Sequence, residues 1–431
     1  MFHRENSLVR DTKSGGQGEL NNVGTSVYVK KKTAPLTNIL SFLILLTVLQ
    51  QFFLESSNIY HYIRMVLYVC FGFLAMLSFV SILRFQIHGF VRTYIIAVVS
   101  TLTLLTPLLL FKQDGFNAVF FEQAIPLGVL LCSYTTEYSQ EQHEKLLARY
   151  TALSAFLGLF VVFFYGQGFK VTPIYFFRSK NQIGPFLGLS FITLVYRLIL
   201  GEPVRFTRIR FLDCLVGSAL TITIIASMLA LRNRAGLLAM IIISCTLVFR
   251  KFLSRLTLKA AIWINFFIVI LTITLSLGLI DNLIGMVWDA FTLNYNVFDL
   301  NSLSAGRWRV YEESIAFIID NPLFGEITSS TRLNGTAHNY VLNKLVKLGF
   351  VGSFPLLVFY LYLWFFVFKG LSSRTDVVSR GSKLGLLVLL LSLITSLFEY
   401  SSPFGPGVTQ IMVWFLLGQY LRHSGEECDK H

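Results

Sequence analysis

The chain has little charge for its length. Only 14% of its 431 residues are charged, while 54% are hydrophobic and the mean hydropathy is +0.65. Soluble globular proteins carry about 25% charged residues, so this composition excludes a soluble globular protein. Apolar runs recur along most of the chain, and a bilayer span needs about 20 such residues. The chain is therefore not a soluble domain with a single membrane anchor.

Cysteine is also scarce, and patterns of metal ligands are missing. The five cysteines lie apart, four in apolar runs and one in the polar C-terminal segment: Cys70, Cys132, Cys214, Cys245 and Cys428. They are too few for a disulfide framework, and without a CxxC spacing they indicate neither zinc nor redox chemistry. The segments assigned below to the outer face contain no Asp-x-Asp pair. We therefore expect no metal and no cofactor.

The apolar runs predict an all-α polytopic membrane protein with about twelve transmembrane helices. The predicted spans are 36–54, 63–83, 93–111, 118–135, 151–166, 183–200, 211–231, 235–250, 260–280, 345–368, 384–399 and 408–421. Only Arg232-Asn233-Arg234 separates the seventh span from the eighth, which leaves open a hairpin that dips partly into the bilayer.

Polar segments flank this transmembrane domain, which we assign to residues 35–422. Residues 1–34 are rich in Gly, Ser and Asn and end in Lys30-Lys31-Lys32. This pattern predicts a disordered cytoplasmic tail, and not a signal peptide. Residues 423–431 form a second predicted cytoplasmic tail.

The net charge of +13 has an explanation in membrane topology. With residues 1–34 in the cytoplasm, every inward segment contains Lys or Arg, and together these segments hold about two thirds of the Lys and Arg residues, as the positive-inside rule requires. An error of one span would invert the assignment of all later segments. The pattern predicts that both termini are cytoplasmic and gives no indication of a nucleic-acid partner.

One outer segment, residues 281–340, is large. Four of its apolar residues recur at helical spacing, opposite Glu312, Glu313 and Ala316: Trp308, Tyr311, Ile315 and Ile318. Pro322 follows closely enough to end such a helix. We expect an amphipathic helix that rests on the outer membrane surface or caps the bundle.

Few basic residues face outward, so each can be weighed. The candidates lie beside the sixth and seventh spans and in the large loop: Arg178, Lys180, Arg232, Arg234, Arg307, Arg309 and His338. A guanidinium group suits phosphate oxygens, although a single interfacial arginine more often anchors a helix to lipid headgroups. Histidine can take a proton from a sugar hydroxyl near neutral pH, or serve only in hydrogen bonding.

Several of these residues lie in segments that resemble a known family. Three segments carry the resemblance: residues 231–238 (LRNRAGLL), residues 304–308 (SAGRW) with 320–325 (DNPLFG), and residues 337–342 (AHNYVL) running into 348–352 (LGFVG). They are similar to motifs of the O-antigen ligase and O-antigen polymerase superfamily of bacterial membrane glycosyltransferases. The family usually has Ser-Arg-x-x-Leu in the first segment, where this chain has Asn233 before Arg234.

The resemblance implies a GT-C-like, metal-independent glycosyltransferase in the bacterial cytoplasmic (inner) membrane, with the large loop in the periplasm. The implied donor is a glycan on undecaprenyl diphosphate, and the acceptor is another glycan or the lipid A core. Membrane lipids and a chain-length regulator are further partners that it allows.

By the same resemblance, Arg234 and Arg307 bind the departing diphosphate, and His338 orients or deprotonates the acceptor hydroxyl. Further candidates for contacts to glycan or phosphate are Arg178, Asn181, Arg232, Arg309 and Asn339.

Two functional alternatives stay open. The three motifs are common to polymerases and ligases, and a weaker match at residues 179–185 (SKNQIGP) favours a polymerase of O-antigen, capsule or exopolysaccharide repeat units. A transporter would also suit twelve spans, but the large outer loop is unexpected in a carrier. In the predicted topology Glu122 and Asp213 lie near span ends, whereas carriers place ionisable residues near the middle of the membrane.

Overall fold

The fold is that of a helical bundle with apolar helices long enough to cross a membrane. The structure, a computed structural model, describes residues 22–82, 88–109, 113–167, 170–171, 173–253, 307–327, 329, 333, 337–372, 383–405 and 409–428. The helices are α1 (Asn22–Gln50), α2 (Asn58–Ile82), α3 (Gly89–Leu109), α4 (Gln113–Thr135), α5 (Gln140–Phe164), α6 (Pro173–Leu200), α7 (Arg210–Ala230), α8 (Arg234–Leu253), α9 (Arg307–Asp320), α10 (Tyr340–Ser372), α11 (Lys383–Ser396) and α12 (Ile411–Cys428).

Two short strands, β1 (Gly166–Gln167) and β2 (Lys170–Val171), pair antiparallel between α5 and α6. A 3₁₀ turn, Gly325–Ile327, follows α9.

The prediction of a polytopic helical membrane protein is confirmed. Among the described residues, six helical segments are long and apolar enough to cross a bilayer, and three shorter apolar helices accompany them. The predicted span 260–280 lies outside the described residues, so the number of twelve spans stays a prediction. Residues 1–21 and 281–306, parts of the predicted tail and outer loop, also lie outside them. Helix α1 begins at Asn22 and α12 ends at Cys428, so helical backbone continues into both predicted tails.

The interior is apolar and rich in aromatic rings. Almost every residue of α11 is buried, which is typical of a helix surrounded by other helices. The ring of Tyr94 on α3 stacks on Phe359 of α10 at 4.5 Å and on Trp414 of α12 at 5.1 Å between centroids. These ring contacts join α3, α10 and α12 into a packed frame inside the bundle.

An ion pair is buried inside this frame. Lys344 Nζ on α10 lies 2.6 Å and 2.5 Å from the two carboxylate oxygens of Glu122 on α4. Lys344 is 1% exposed and Glu122 8% exposed. Helix α4 begins at Gln113, so Glu122 lies well inside the helix, and its predicted position near a span end stays a prediction.

Two glycines set the position of α9 against α10. Gly349, inside α10, has φ = 65°, and a Cβ there would lie 2.3 Å from the carbonyl carbon of Leu323. Gly325 has φ = 56°, and a Cβ there would lie 2.2 Å from the carbonyl oxygen of Val346. Phe350 N donates to the carbonyl oxygen of Pro322 at 2.8 Å. The turn after α9 therefore packs backbone to backbone on the kink of α10, as only glycine allows.

The predicted amphipathic helix is confirmed as α9, but its predicted apolar face is only partly right. Ser314, Phe317 and Ile318 are the buried residues of α9, whereas Trp308 is 44% exposed and Ile315 50% exposed. The helix is thus rotated from the expected face. The glycine contact described above fixes that rotation, and periodicity alone carries no information about it.

Candidate functional site

The predicted site residues gather around an acid that the sequence analysis did not select. Glu399 follows α11 and is 5% exposed. Arg307, the first residue of α9, donates from Nη2 to Glu399 Oε1 at 2.6 Å and from Nη1 to the carbonyl oxygen of Phe398 at 2.6 Å. These two bonds attach the start of α9 to the end of α11. They also fix the plane of the Arg307 guanidinium group.

Two more predicted residues reach the second oxygen of Glu399. Asn181 on α6 donates from Nδ2 to Glu399 Oε2 at 3.0 Å. His338 Nδ1 lies 3.6 Å from the same oxygen, too far for a direct hydrogen bond. His338 Nδ1 is buried and has no hydrogen-bond partner among the described residues. A small movement of either side chain would close this gap.

Asn339 caps α10 and links it to the residues after α11. Its Oδ1 accepts a hydrogen bond from Leu342 N at 3.1 Å and so caps the N-terminus of α10. Its Nδ2 donates to the carbonyl oxygen of Leu397 at 3.0 Å. The hydroxyl of Tyr311 on α9 donates to the carbonyl oxygen of His338 at 3.5 Å. Helices α9, α10 and α11 are thereby joined around His338.

Arg234 begins α8, and the preceding Asn233 positions it. Asn233 Oδ1 accepts from Gly236 N at 2.9 Å, and its Nδ2 donates to the carbonyl oxygen of Lys180 at 2.5 Å. A Cβ at Gly184 would lie 2.0 Å from that Nδ2, so α6 and α8 need the glycine to approach. Asparagine is a favoured N-cap, which explains why the chain tolerates it in place of a small hydroxyl residue.

Lys180 links the two arginines of the predicted site. It lies close enough to Arg307, Glu399 and Arg234 to interact electrostatically with each of them. Three cationic side chains therefore lie near Glu399 at this end of the bundle. Guanidinium and ammonium groups are the donors that bind phosphate and carboxylate oxygens.

Two other predicted residues, Arg232 and Arg309, lie outside this group. Arg232 is exposed and has φ = 52° in the turn before α8. Arg309 is exposed on α9 and pairs with Glu313 at 3.4 Å, so its predicted role in substrate contact receives no support. Arg178 lies in α6, but its side chain lies outside the described part of the molecule.

Two tyrosines border the site. Burial raises the pKa of Tyr311; the charge of Arg307 opposes this rise and that of Glu399 adds to it. Burial also raises the pKa of Tyr400, and the charge of Glu399 again adds to the rise. The Tyr400 ring lies 6.5 Å from the His338 ring between centroids. Both hydroxyls stay protonated at neutral pH, so neither tyrosine is a base at that pH.

A small cavity lies behind Glu399, toward the interior. It has a volume of about 20 Å³, room for about one water. Its polar lining includes Asn181, Asn233, Ser392, Glu399 and Gln410. A water there could hydrogen-bond the acid from below, but a sugar would have to bind on the outer side of Glu399.

The donor set at this end does not resemble a metal centre. Among the described residues, no group of three or more His, Cys, Asp or Glu side chains could hold a metal ion. Glu399 is instead paired with Arg307 and Asn181. The expectation of a metal-independent reaction stays a prediction.

Glu399 is the residue of the group that sequence reasoning did not select. Lys180 was among the predicted outward basic residues, but no role was predicted for it. The available signal was the position of Glu399 directly after a long apolar run, where an acid at the membrane boundary needs a cationic partner.

Comparisons with known proteins do not add a family to this description. The chain matches no protein-family model, and a search of curated protein sequences also finds no match.

Proposed function

We propose that this protein is a membrane glycosyltransferase that uses a glycan linked to undecaprenyl diphosphate. The observation that carries the proposal is the convergence of Arg307, Asn181 and His338 on Glu399. Arg234 stands beside the same group through Lys180. These residues come from distant parts of the chain, and the resemblance to O-antigen ligases and polymerases rests on three of the same segments.

In this proposal the arginines stabilise the leaving group. Breaking the bond between sugar and diphosphate builds negative charge on the diphosphate, and fixed cations lower the energy of that state. Arg307 uses two of its five N–H donors for Glu399 and Phe398. The others are available for phosphate oxygens, with Arg234 and Lys180 as additional cations.

His338 orients or deprotonates the acceptor hydroxyl. If Nε2 takes the proton, the imidazole becomes positively charged, and Glu399 stands 3.6 Å from the other ring nitrogen, Nδ1. A carboxylate at that nitrogen stabilises the charged ring and holds its orientation. Glu399 thus has two tasks in the proposal, because it also holds Arg307.

Polymerisation of repeat units is the form of the reaction that we propose, with transfer to the lipid A core as the alternative. The protein would act at the outer face of the bacterial inner membrane, with both termini in the cytoplasm. A deletion strain separates the two reactions. Single repeats attached to the core indicate that a polymerase was lost, whereas long lipid-linked glycan that accumulates off the core indicates that a ligase was lost.

Transport is the second candidate function, and one observation favours it. The Lys344–Glu122 pair is buried inside the bundle, and ionisable residues inside a membrane often mark a transport or proton pathway. The pair is matched in charge, because Lys344 contacts both carboxylate oxygens of Glu122. We therefore rank transport below glycosyl transfer.

The decisive experiment follows glycosidic bond formation by the purified full-length protein with lipid-linked glycan. We expect Arg307→Ala to lower the rate by about 10²–10³-fold and His338→Ala by about 10²–10⁴-fold. Arg309→Ala is the matched control, because Arg309 lies on the same helix but is exposed. It should keep the rate of the wild type.

Two results would reject the assignment. Wild-type protein that forms no glycosidic bond from lipid-linked glycan would favour transport. Full activity in Arg234→Ala, Arg307→Ala and His338→Ala would show that the charged group serves only the fold.

A further inference from the structure

The end of the bundle opposite Glu399 holds a second charged region around two adjoining cavities. Arg197 and Asn181 lie on the same helix, α6, about 24 Å apart along its axis at 1.5 Å per residue. The cavities have volumes of about 500 Å³ and 690 Å³. Four residues line both of them: Gln140, Glu144, Arg197 and Glu202. The glycosyl-transfer proposal uses none of these residues.

A buried ion pair forms the shared wall of the two cavities. Arg197 Nη2 donates to Glu144 Oε1, and Arg197 Nη1 lies 3.8 Å from Glu202 Oε2. Arg197 Nε and Glu144 Oε2 are buried and have no hydrogen-bond partner within the described ranges. The pair is therefore not saturated in hydrogen bonds, but these two atoms are buried and do not face the cavities.

The larger cavity has a strongly basic rim. Arg205, Arg208 and Arg210 line it, and all three are exposed. Arg210 Nη2 donates to the carbonyl oxygen of Gly201. In the part of the chain that the structure describes, neither Arg205 nor Arg208 forms an ion pair. Their positive charge is available to a ligand.

An acid beneath the rim holds the loop. Asp213, the first-turn acid of α7, accepts hydrogen bonds at Oδ1 from Phe206 N at 2.9 Å, Thr207 N at 2.6 Å and Thr207 Oγ1 at 3.0 Å. Its side chain is buried. These bonds fix the loop that carries Arg205 and Arg208, one on each side of the bonded residues.

The rim lies where a polar surface meets an apolar one. Ile209, Phe211 and Leu215 are exposed beside the basic loop, and α7 is apolar and long enough to cross a membrane. Basic side chains directly beside exposed apolar ones are typical of the depth of lipid headgroups.

We propose that the larger cavity is a binding site for a phosphate group, presented either by the headgroup of an anionic phospholipid or by a soluble phosphate ester. Arginine forks match phosphate oxygens in geometry and charge. Arg205 and Arg208 capture the phosphate at the rim, while Glu144 and Glu202 offset the charge of Arg197 in the wall. This site is separate from the Glu399 group, so it stands or fails independently of glycosyl transfer.

Native mass spectrometry of the purified full-length protein tests the site. Phosphatidylglycerol is the probe, and phosphatidylcholine, which has no net charge, is the control lipid. We expect Arg205→Ala/Arg208→Ala to bind phosphatidylglycerol about thirtyfold more weakly than wild type, which is about fivefold per arginine. Arg92→Ala is the matched control, because Arg92 is exposed on α3, lies on the same predicted face and does not line the cavity.

Competition identifies the source of the phosphate. If sn-glycerol 3-phosphate displaces phosphatidylglycerol from the wild type, the site takes soluble phosphate esters; if it does not, the site is a headgroup site. Unchanged binding by the double variant, equal weakening by Arg92→Ala, or equal affinity for phosphatidylcholine would each overturn the proposal. Should the double variant fail to fold, Arg208→Ala alone, expected to bind about fivefold more weakly, makes the same test.

Discussion

Replacing Lys344 by methionine should destabilise the protein strongly, because it leaves Glu122 without its partner. The ammonium group of Lys344 contacts both carboxylate oxygens of Glu122, at 2.6 Å and 2.5 Å, and both side chains are buried. Removing one partner of a buried pair costs about 3–5 kcal/mol.

Adding Glu122→Leu to Lys344→Met removes the second charge of the pair. The double variant should regain most of the lost stability, because apolar residues of similar volume often replace a buried pair without loss.

Denaturant unfolding in detergent, followed by circular dichroism, measures these differences. Lys369→Met is the matched control, since Lys369 is on the same helix but exposed, and it should unfold at the wild-type midpoint. The reasoning is refuted if Lys344→Met is as stable as this control at pH 7. It is also refuted if the double variant is as unstable as Lys344→Met.

Two further predictions concern the contacts of α9. Gly349→Ala should cost at least about 3 kcal/mol of unfolding free energy, because its Cβ would lie 2.3 Å from the backbone of Leu323. Gly72→Ala is the control, since a Cβ there would have nothing within 4 Å, and it should not lower the thermal midpoint. Equal losses of stability in both variants would contradict the contact. Burial raises the pKa of Tyr311, so the stability that its neutral form contributes is present below pH 10 and is lost at higher pH. The difference in phenolate absorbance between wild type and Tyr311→Phe should have its titration midpoint above pH 10. A midpoint at or below pH 10 would show that Tyr311 is solvated.

Much of the candidate site could be predicted from the sequence, because its residues lie in short motifs beside spans. Arg307, Asn181 and Asn339 all form hydrogen bonds with residues that directly follow α11. Two of the motifs also contain the glycines Gly325 and Gly349, which let α9 pack closely on α10. Arg232 and Arg309 have the same residue type and a similar location, yet they are exposed. Residue type alone does not tell an inward side chain from an outward one.

The sequence by itself determined that this is a helical membrane protein, since the length and apolarity of a span follow directly from the thickness of the bilayer. It also determined the helix at α9, because a period of 3.6 residues is a local property. Which face of α9 is buried, and which acid holds Arg307, only the tertiary structure decided. Both depend on contacts between segments far apart in the chain, and Glu399 lies 92 residues from Arg307. A carboxylate becomes part of a site through the cations that folding places around it.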